Sequence, residues 1–442
     1  MKNKYKKLTF WRSKVRLLLR ILLIVGFLIQ SEKFLEMYLE YPSFVELNVE
    51  QPQDVMFPAF TICNLNEIRI GPYCEKFPHK CSNIRRHPKL CTLYPEYCRL
   101  VGNKSKLLPM HPVSDYNLTR TERQEFGHQF QNLLVGCTIE TDGKEEECKS
   151  EHIPIQALSH SHITPFNCFV MYSLYGQPNA TPRYIPVSTV IRIILNIEVD
   201  EYHPEHLSRG AQISIHSPYH VPSPMSDGRI LNLGGIYRFY LSMTSLEMLP
   251  PPYKSMCRDY MGEWTRNGGK GPITQKMCKE KCKLDHSLND YGCADARIDY
   301  PHNETICEKV IANFHVKTMP ICAKKCSMPC KFNKFQFQVQ DSNSEGFRNS
   351  CIVPKDLTCY TLVQIFLENM EITTFKYTPR FNPVGILSWI GGYVGLWLGI
   401  SLLQVYDFLE KGIFICIAFL RKKKNIVETK LPYDSQQILV NI

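Results

Sequence analysis

The sequence predicts a membrane protein in which two transmembrane helices, one near each end, enclose a large disulfide-rich extracellular domain. Three observations predict it. Apolar runs lie near both ends of the 442-residue chain, and each abuts a block of positive charge. Eighteen of the 19 cysteines fall between those runs, with only Cys416 outside. All four Asn-x-Ser/Thr sequons, at Asn103, Asn117, Asn179 and Asn303, fall in the same stretch. Thiols at that density belong to an oxidising compartment, and glycosylation acceptors confined with them point to the secretory lumen.

The first apolar run extends from Leu17 to Ile29, interrupted by Arg20, and continues in amphipathic form through Phe34, Leu35, Met37, Tyr38 and Leu39. A bilayer core takes roughly 20 helical residues. The uninterrupted part is short for that, so a signal peptide cut near Ile29-Gln30-Ser31 is a rival reading. The retained helix is favoured because its pattern runs on to Tyr41-Pro42, where proline disfavours helix at the residue before it. Lys2, Lys4, Lys6, Lys7, Arg12, Lys14, Arg16 and Arg20 then mark a cytoplasmic end, as Arg421 to Lys424 do at the other terminus. A nucleic-acid-binding tail is the alternative for such blocks, and their position against apolar segments argues against it.

The second run, Pro383 to Leu420, is longer than one perpendicular crossing and contains Asp407, Glu410 and Lys411. It must tilt, bend or emerge into water. Charges among apolar residues belong beside a protein interior or a water-filled path. Alternatively, Asp407 begins a juxtamembrane helix on the inner leaflet. Gly391, Gly395 and Gly399 recur every four residues and share a helix face, a spacing that suits close helix packing of any kind.

Phe57 to Arg69, FPAFTICNLNEIR, and the later Gly399-Ile400-Ser401 carry a resemblance. The first resembles the signature that follows the first membrane helix in degenerin/epithelial sodium channels, especially the acid-sensing ones. The second is similar to that family's Gly-x-Ser selectivity motif. NLLVGCTIE, FNCFVMY, LNIEVDEY, GAQISIHSP, LPPPYKSMC and Cys326-Ser-Met-Pro-Cys330 follow in the family's order, so the likeness covers roughly residues 15 to 412.

The resemblance implies an α+β extracellular domain of finger, palm, knuckle and thumb parts on a two-helix trimeric pore. It implies a cytoplasmic N-terminus over 1–14, a first membrane helix over 15–39, an extracellular domain over 40–381 and a second membrane helix over 382–411. Residues 412–442 form the inner-leaflet end and cytoplasmic tail. Gly399, Ile400 and Ser401 would be the selectivity filter, Asp407 and Glu410 the pore acids, and Ser388 the position where bulky residues hold relatives open. Gly391 and Gly395 would pack the helices, and Tyr41 and Tyr253 would couple the domain to the pore. The cysteines expected in disulfides are Cys63, Cys137, Cys148, Cys168, Cys257, Cys278, Cys282, Cys293, Cys307, Cys322, Cys326 and Cys330. Eighteen thiols leave the pairing open.

The implied partners are Na⁺ as the permeant ion, the lipid bilayer, related subunits in a homo- or heterotrimer, and an extracellular proton or peptide ligand. Sensitivity to amiloride and a plasma-membrane location follow. No cofactor, metal or nucleic acid is expected. The chain departs from the family in lacking the N-terminal His-Gly dipeptide associated with gating, and in having Cys293 alone where relatives have Cys-x-Cys. No phosphate loop, His-Glu-x-x-His or Gly-x-Ser-x-Gly elbow is present, which argues against an enzyme. The runner-up is a single-pass cysteine-rich receptor or adhesion protein, should the first segment be cleaved.

Overall fold

The computed structural model describes residues 2–83, 88–95, 107–110, 118–158, 165–204, 209–220, 227–295, 297–307, 310–342, 360–368 and 370–428. Asn103, Asn117, Cys98, Cys351 and Cys359 lie outside them, as do His160 and His162. The chain divides into two compact units, Val45–Thr378, and Met1–Phe44 together with Pro379–Ile442.

The larger unit is β-rich. Its main sheet runs in the order β1 (Ser43–Glu50), β17 (Ile372–Pro379), β14 (Ile236–Glu247), β16 (Thr361–Phe366), β11 (Val190–Leu195), β6 (Leu134–Thr141) and β7 (Lys144–Glu147), with β15 (Lys331–Ser342) on the free edge of β14. β14 pairs in parallel with β16 through its first half and with β17 through its second, and antiparallel with β15 over all 12 residues. A second sheet has the order β13 (Arg229–Asn232), β12 (Gly210–His216), β3 (Ala59–Asn64), β9 (Pro165–Met171) and β8 (His152–Leu158). Two small pairs complete the set, β2 (Asp54–Met56) with β10 (Tyr184–Pro186), and β4 (Cys81–Asn83) with β5 (Leu107–Pro109).

Strand periodicity explains the core. Val190-Ile-Arg-Ile-Ile-Leu195 buries every second residue, and the register sets Ile191 opposite Ile365 and Ile193 opposite Val363, all fully buried. β3 and β12 are buried at every position, as strands covered on both faces must be. The segment AFTICN of the signature is therefore a central strand. Cys63 lies directly opposite Cys168 on β9, and the two are bridged.

The segment Cys257–Cys330 has little core of its own and is held by cross-links. Helix α2 (Gln275–Tyr291) starts at Thr274, whose hydroxyl accepts from Met277 N–H, and ends at Gly292 with φ +72°. It packs against helix α3 (Phe314–Lys325). Cys278 and Cys282, one turn apart, bond to Cys326 and Cys322, one turn apart on the other element, so the bridges form two rungs. Cys293–Cys307 and Cys257–Cys330 close the ends, and Cys74–Cys81 and Cys137–Cys148 tie hairpin-sized loops elsewhere. All twelve cysteines expected in disulfides are thus paired. His286 lies near the sulfurs of Cys282 and Cys322, but those two sulfurs are bonded to each other and are not thiolate ligands. Asn179 and Asn303 are exposed, open to a glycan.

Cross-linking removes more entropy from the unfolded chain when it closes a longer loop, about 4.7 kcal/mol for 100 residues against about 3 for 15. The Cys63–Cys168 bridge has a sequence separation of 105 and Cys137–Cys148 one of 11. Replacing the first pair by alanine should therefore lower the melting temperature of the detergent-purified protein more than replacing the second. Equal shifts would remove loop closure as the dominant effect.

Candidate functional site

The described residues of the smaller unit form three helices: α1 (Lys2–Leu39), α4 (Pro383–Leu398) and α5 (Leu402–Glu428). Among the described residues no single helix is long and apolar enough to cross a membrane; α4 and α5 qualify only as a pair bent by 90°. Helix α1 packs on α4. Phe34 is buried against Trp389 and Tyr393 of α4 and Phe381 before it, with ring centroids 5.4–6.0 Å away. One turn and two turns earlier on α1, Gln30 Oε1 accepts from Trp397 Nε1 at 2.6 Å, and a Cβ at Gly26 would overlap the Trp397 ring. Trp389, Tyr393 and Trp397 are spaced i, i+4, i+8 and so form one stripe facing α1.

Gly391, Gly395 and Gly399 are each displaced by two residues from that stripe, about 200° around the helix. They lie on the side away from α1. A Cβ added at Gly391 meets nothing within 4 Å, and one at Gly395 meets only the Ile400 carbonyl at 3.9 Å. Ser388 falls on the same side, seven residues before Gly395, and its hydroxyl donates to Val384 O at 3.0 Å. With Trp389, Gly392, Tyr393 and Leu396 it lines an open groove of about 480 Å³.

Gly399, Ile400 and Ser401 are the three non-helical residues between α4 and α5. Gly399 has φ +65°, ψ +20°, and its N–H still donates to Gly395 O at 3.1 Å, so it closes α4 in the left-handed conformation. Ser401 opens α5: its hydroxyl accepts from Gln404 N–H at 3.3 Å, while Gln404 Oε1 accepts from Ser401 N–H at 3.0 Å. This reciprocal pair is a capping box, Ser-x-x-Gln, a pattern written in the sequence that the resemblance to a filter motif overshadowed. Asp407 and Glu410 follow on the second and third turns of α5, both exposed. Tyr41 ends α1 with φ +49°, its N–H on Tyr38 O at 3.1 Å. Tyr253 sits in a turn of the larger unit, its N–H donating to Pro250 O at 3.3 Å.

The end of the signature, NLNEIR, builds a buried polar junction. Asn64 Oδ1 accepts from Asn66 N–H and the Tyr202 hydroxyl, and its amide donates to Ile197 O at 2.9 Å. The Asn66 amide nitrogen lies 2.7–3.0 Å from Ile68 O, Glu201 O and His128 Nε2, which share its two N–H donors. The Glu198 carboxylate only accepts, so His128 Nδ1, 2.6 Å from Glu198 Oε2, carries the ring proton and Nε2 is left as the acceptor towards Asn66. Arg69 binds the carbonyls of Gly127 and Glu125. Sequence reasoning singled out the signature but missed His128 and Glu198, which carry no local pattern.

Known proteins agree with the resemblance. The family described as amiloride-sensitive sodium channel matches residues 3–410. Acid-sensing ion channel 4-B of Danio rerio is 23% identical over 420 residues, covering 89% of this chain and 69% of that protein. Degenerin-like protein unc-105 of Caenorhabditis elegans is 23% identical over 355 residues, covering 71% and 38%. Among solved structures, a proton-activated chloride channel determined by cryo-EM aligns over 91% of this chain and 97% of its own at TM-score 0.30 and 6% identity, too low a likeness to inform the fold.

The junction has a pH dependence of definite sign. Desolvation holds the buried His128 below the ordinary histidine value, with the Glu198 carboxylate opposing. His216, buried beside Thr61 with its Nδ1 on Ser217 O, is pushed down to about 4, again by desolvation. Both are neutral at pH 7. The unfolded chain takes up these protons near about 6.5. Between there and about pH 4 it binds more protons than the folded chain, so stability falls as pH falls. His216→Gln should flatten that slope by up to about 1.4 kcal/mol per pH unit in denaturant titrations. An unchanged slope would exclude His216 as a contributor.

Proposed function

The chain belongs to the amiloride-sensitive sodium channel family, and on that premise we propose that it is one subunit of a trimeric, sodium-selective plasma-membrane channel. In this reading α1 and α4 are the two membrane helices, both termini are cytoplasmic, and residues 40–381 form the extracellular finger, palm, knuckle and thumb. Members of the family are ion channels, not enzymes. Amiloride-like drugs would block at the outer mouth, and gating would pass from the disulfide-braced domain to the pore.

The observation that carries the reading is the helix pair. Gly26 and Gln30 lie before the cut a signal peptidase would make, Phe34 lies after it, and all three pack on α4. Cleavage would strip Trp397 of its hydrogen bond and its neighbour. That favours a retained first helix and counts against the single-pass receptor. The small-residue side of α4, turned from α1 and open, fits a second and third copy of the pore helix around a common axis. A closed ring of three needs just such a second face.

Gly399, Ile400 and Ser401 would then form the narrow belt, replacing the water shell of Na⁺ by backbone carbonyls. The last carbonyls of α4 have no following turn to bond, which leaves them available to an ion. Asp407 and Glu410 would stand at the inner mouth, where carboxylates concentrate cations and repel anions. Ser388, on the small-residue face, would let the helices close.

Two-electrode recording from oocytes tests the reading directly. Asp407→Asn should shift the reversal potential towards weaker cation preference, and unchanged permeability ratios would exclude Asp407 from selectivity. Ser388→Phe should wedge the α4 helices apart and give constitutive amiloride-sensitive current. A variant that reaches the surface and stays silent would remove Ser388 from the gate.

A further inference from the structure

We propose that the disulfide-braced segment Cys257–Cys330 is latched to the loops of the second sheet by Trp264, and that the unpaired indole N–H of this residue keeps the latch able to open. The proposal rests on the channel reading above only for its effect on current. Three observations carry it.

The first is that the segment is stiff and rooted at one end. Helices α2 and α3 are joined by two disulfide rungs. The chain leaving β14 and the chain entering β15 meet at the root, where Met248 N–H donates to Cys330 O at 2.7 Å and Cys257 is bonded to Cys330. A stiff body rooted in that way swings as a unit, so its resting place depends on what it touches away from the root. The second observation is that contact. Trp264, on the short helix Tyr260–Arg266, is 1% exposed. Its ring stacks on Tyr175 with centroids 6.5 Å apart and meets Tyr219 edge-on at 6.2 Å. Those tyrosines stand in the loops that follow β9 and β12, and Ile155 of β8 packs beside them, while Ile273 and Met277 close the cluster from the segment's own side. The margin of the seam is more exposed and weakly bonded. Tyr175 Oη meets the hydroxyl of the partly exposed Tyr300 and donates to Gly271 O at 3.5 Å, the limit for such a bond. The Lys276–Asp227 pair at 2.6 Å is half-exposed, where ion pairs add little.

The third is an unmet donor at the centre of the contact. Trp264 Nε1 is buried and has no hydrogen-bond partner among the described residues, and neither has His220 Nδ1, next in the chain to Tyr219. A buried indole ordinarily finds an acceptor, as Trp397 finds Gln30. Closing the seam takes this N–H out of water and gives it nothing in return, and opening the seam restores its hydration. The rings favour the closed state and the lone donor opposes it, which brings the two states closer to balance. The rungs then carry any swing of Trp264 along the segment to its root, beside β14 and β15.

Removing the donor while keeping the ring tests the latch. Benzothienylalanine, with sulfur in place of the indole N–H at nearly the same volume, replaces Trp264 by nonsense suppression in oocytes expressing the full chain. Ile273→Cys is the reporter: Ile273 is 7% exposed in the seam, so an external biotin-maleimide reaches the thiol only when the seam opens. The isostere should slow labelling roughly tenfold, the equilibrium effect of one unmet buried hydrogen bond. Trp264→Ala, which removes the ring as well, should speed it. A residue that only packs would give the isostere the same labelling rate as tryptophan, so unchanged or faster labelling overturns the proposal. Amiloride-sensitive current in the same oocytes reports the channel reading separately, and the isostere and Trp264→Ala should shift it in opposite directions. Current without slowed labelling defeats only the latch, and slowed labelling without current defeats only the channel.

Discussion

The contact between Gly26, Gln30 and Trp397 decides how the helical unit is built. Trp397 lies across a position where any side chain would collide, and its indole N–H is satisfied by Gln30 at 2.6 Å. An unpaired indole in an apolar surround would cost about 1–3 kcal/mol, so the hydrogen bond fixes the rotation of α4 as firmly as the ring packing does. Once Trp389, Tyr393 and Trp397 are committed to α1, the helix has no freedom about its axis. Ser388 and the glycines are then turned to the far side.

In the larger unit, cross-links and buried polar bonds do complementary work. The two rungs between Cys278, Cys282, Cys322 and Cys326 stiffen a segment whose own buried clusters are small. The junction around Asn64, Asn66, His128 and Glu198 joins the exit of a central strand to two loops distant in sequence. A satisfied polar network in a low-dielectric interior tolerates few alternatives, so it specifies one arrangement where an apolar cluster could slide.

Much of this was legible in sequence wherever the information is local. The cysteine segregation announced an oxidised domain. The break at Gly399–Ser401 could be read twice over, once as a family motif and once as a glycine stop followed by the Ser401–Gln404 capping box. What could not be read were meetings of distant residues. His128 stands 62 residues from Asn66, and Trp397 stands 367 from Gln30. Nothing in either neighbourhood encodes the other. The disulfide pairing was beyond reach for the same reason: spacing i, i+4 on two helices fixes which rungs are compatible only after the helices are known to be antiparallel partners.

Gly399 meets two requirements at once, and this explains why the break falls there and not one turn away. Ending α4 with φ +65° would strain a residue bearing a Cβ by about 1–2 kcal/mol. In a threefold assembly that strain would be paid in each subunit. Gly399 also continues the small-residue side of Gly391 and Gly395, where, in the proposed trimer, a side chain would hold the copies apart. A stop at Leu396 or Leu398 would satisfy neither demand. Two residues later Ser401 caps the next helix, so the interruption spans three residues. In a bilayer, where an unsatisfied backbone group has no water to bond, an interruption of that length is tolerated where it is buried in protein or lines a water-filled cavity. In the proposed channel, the corner and the ion path meet the same physical demand.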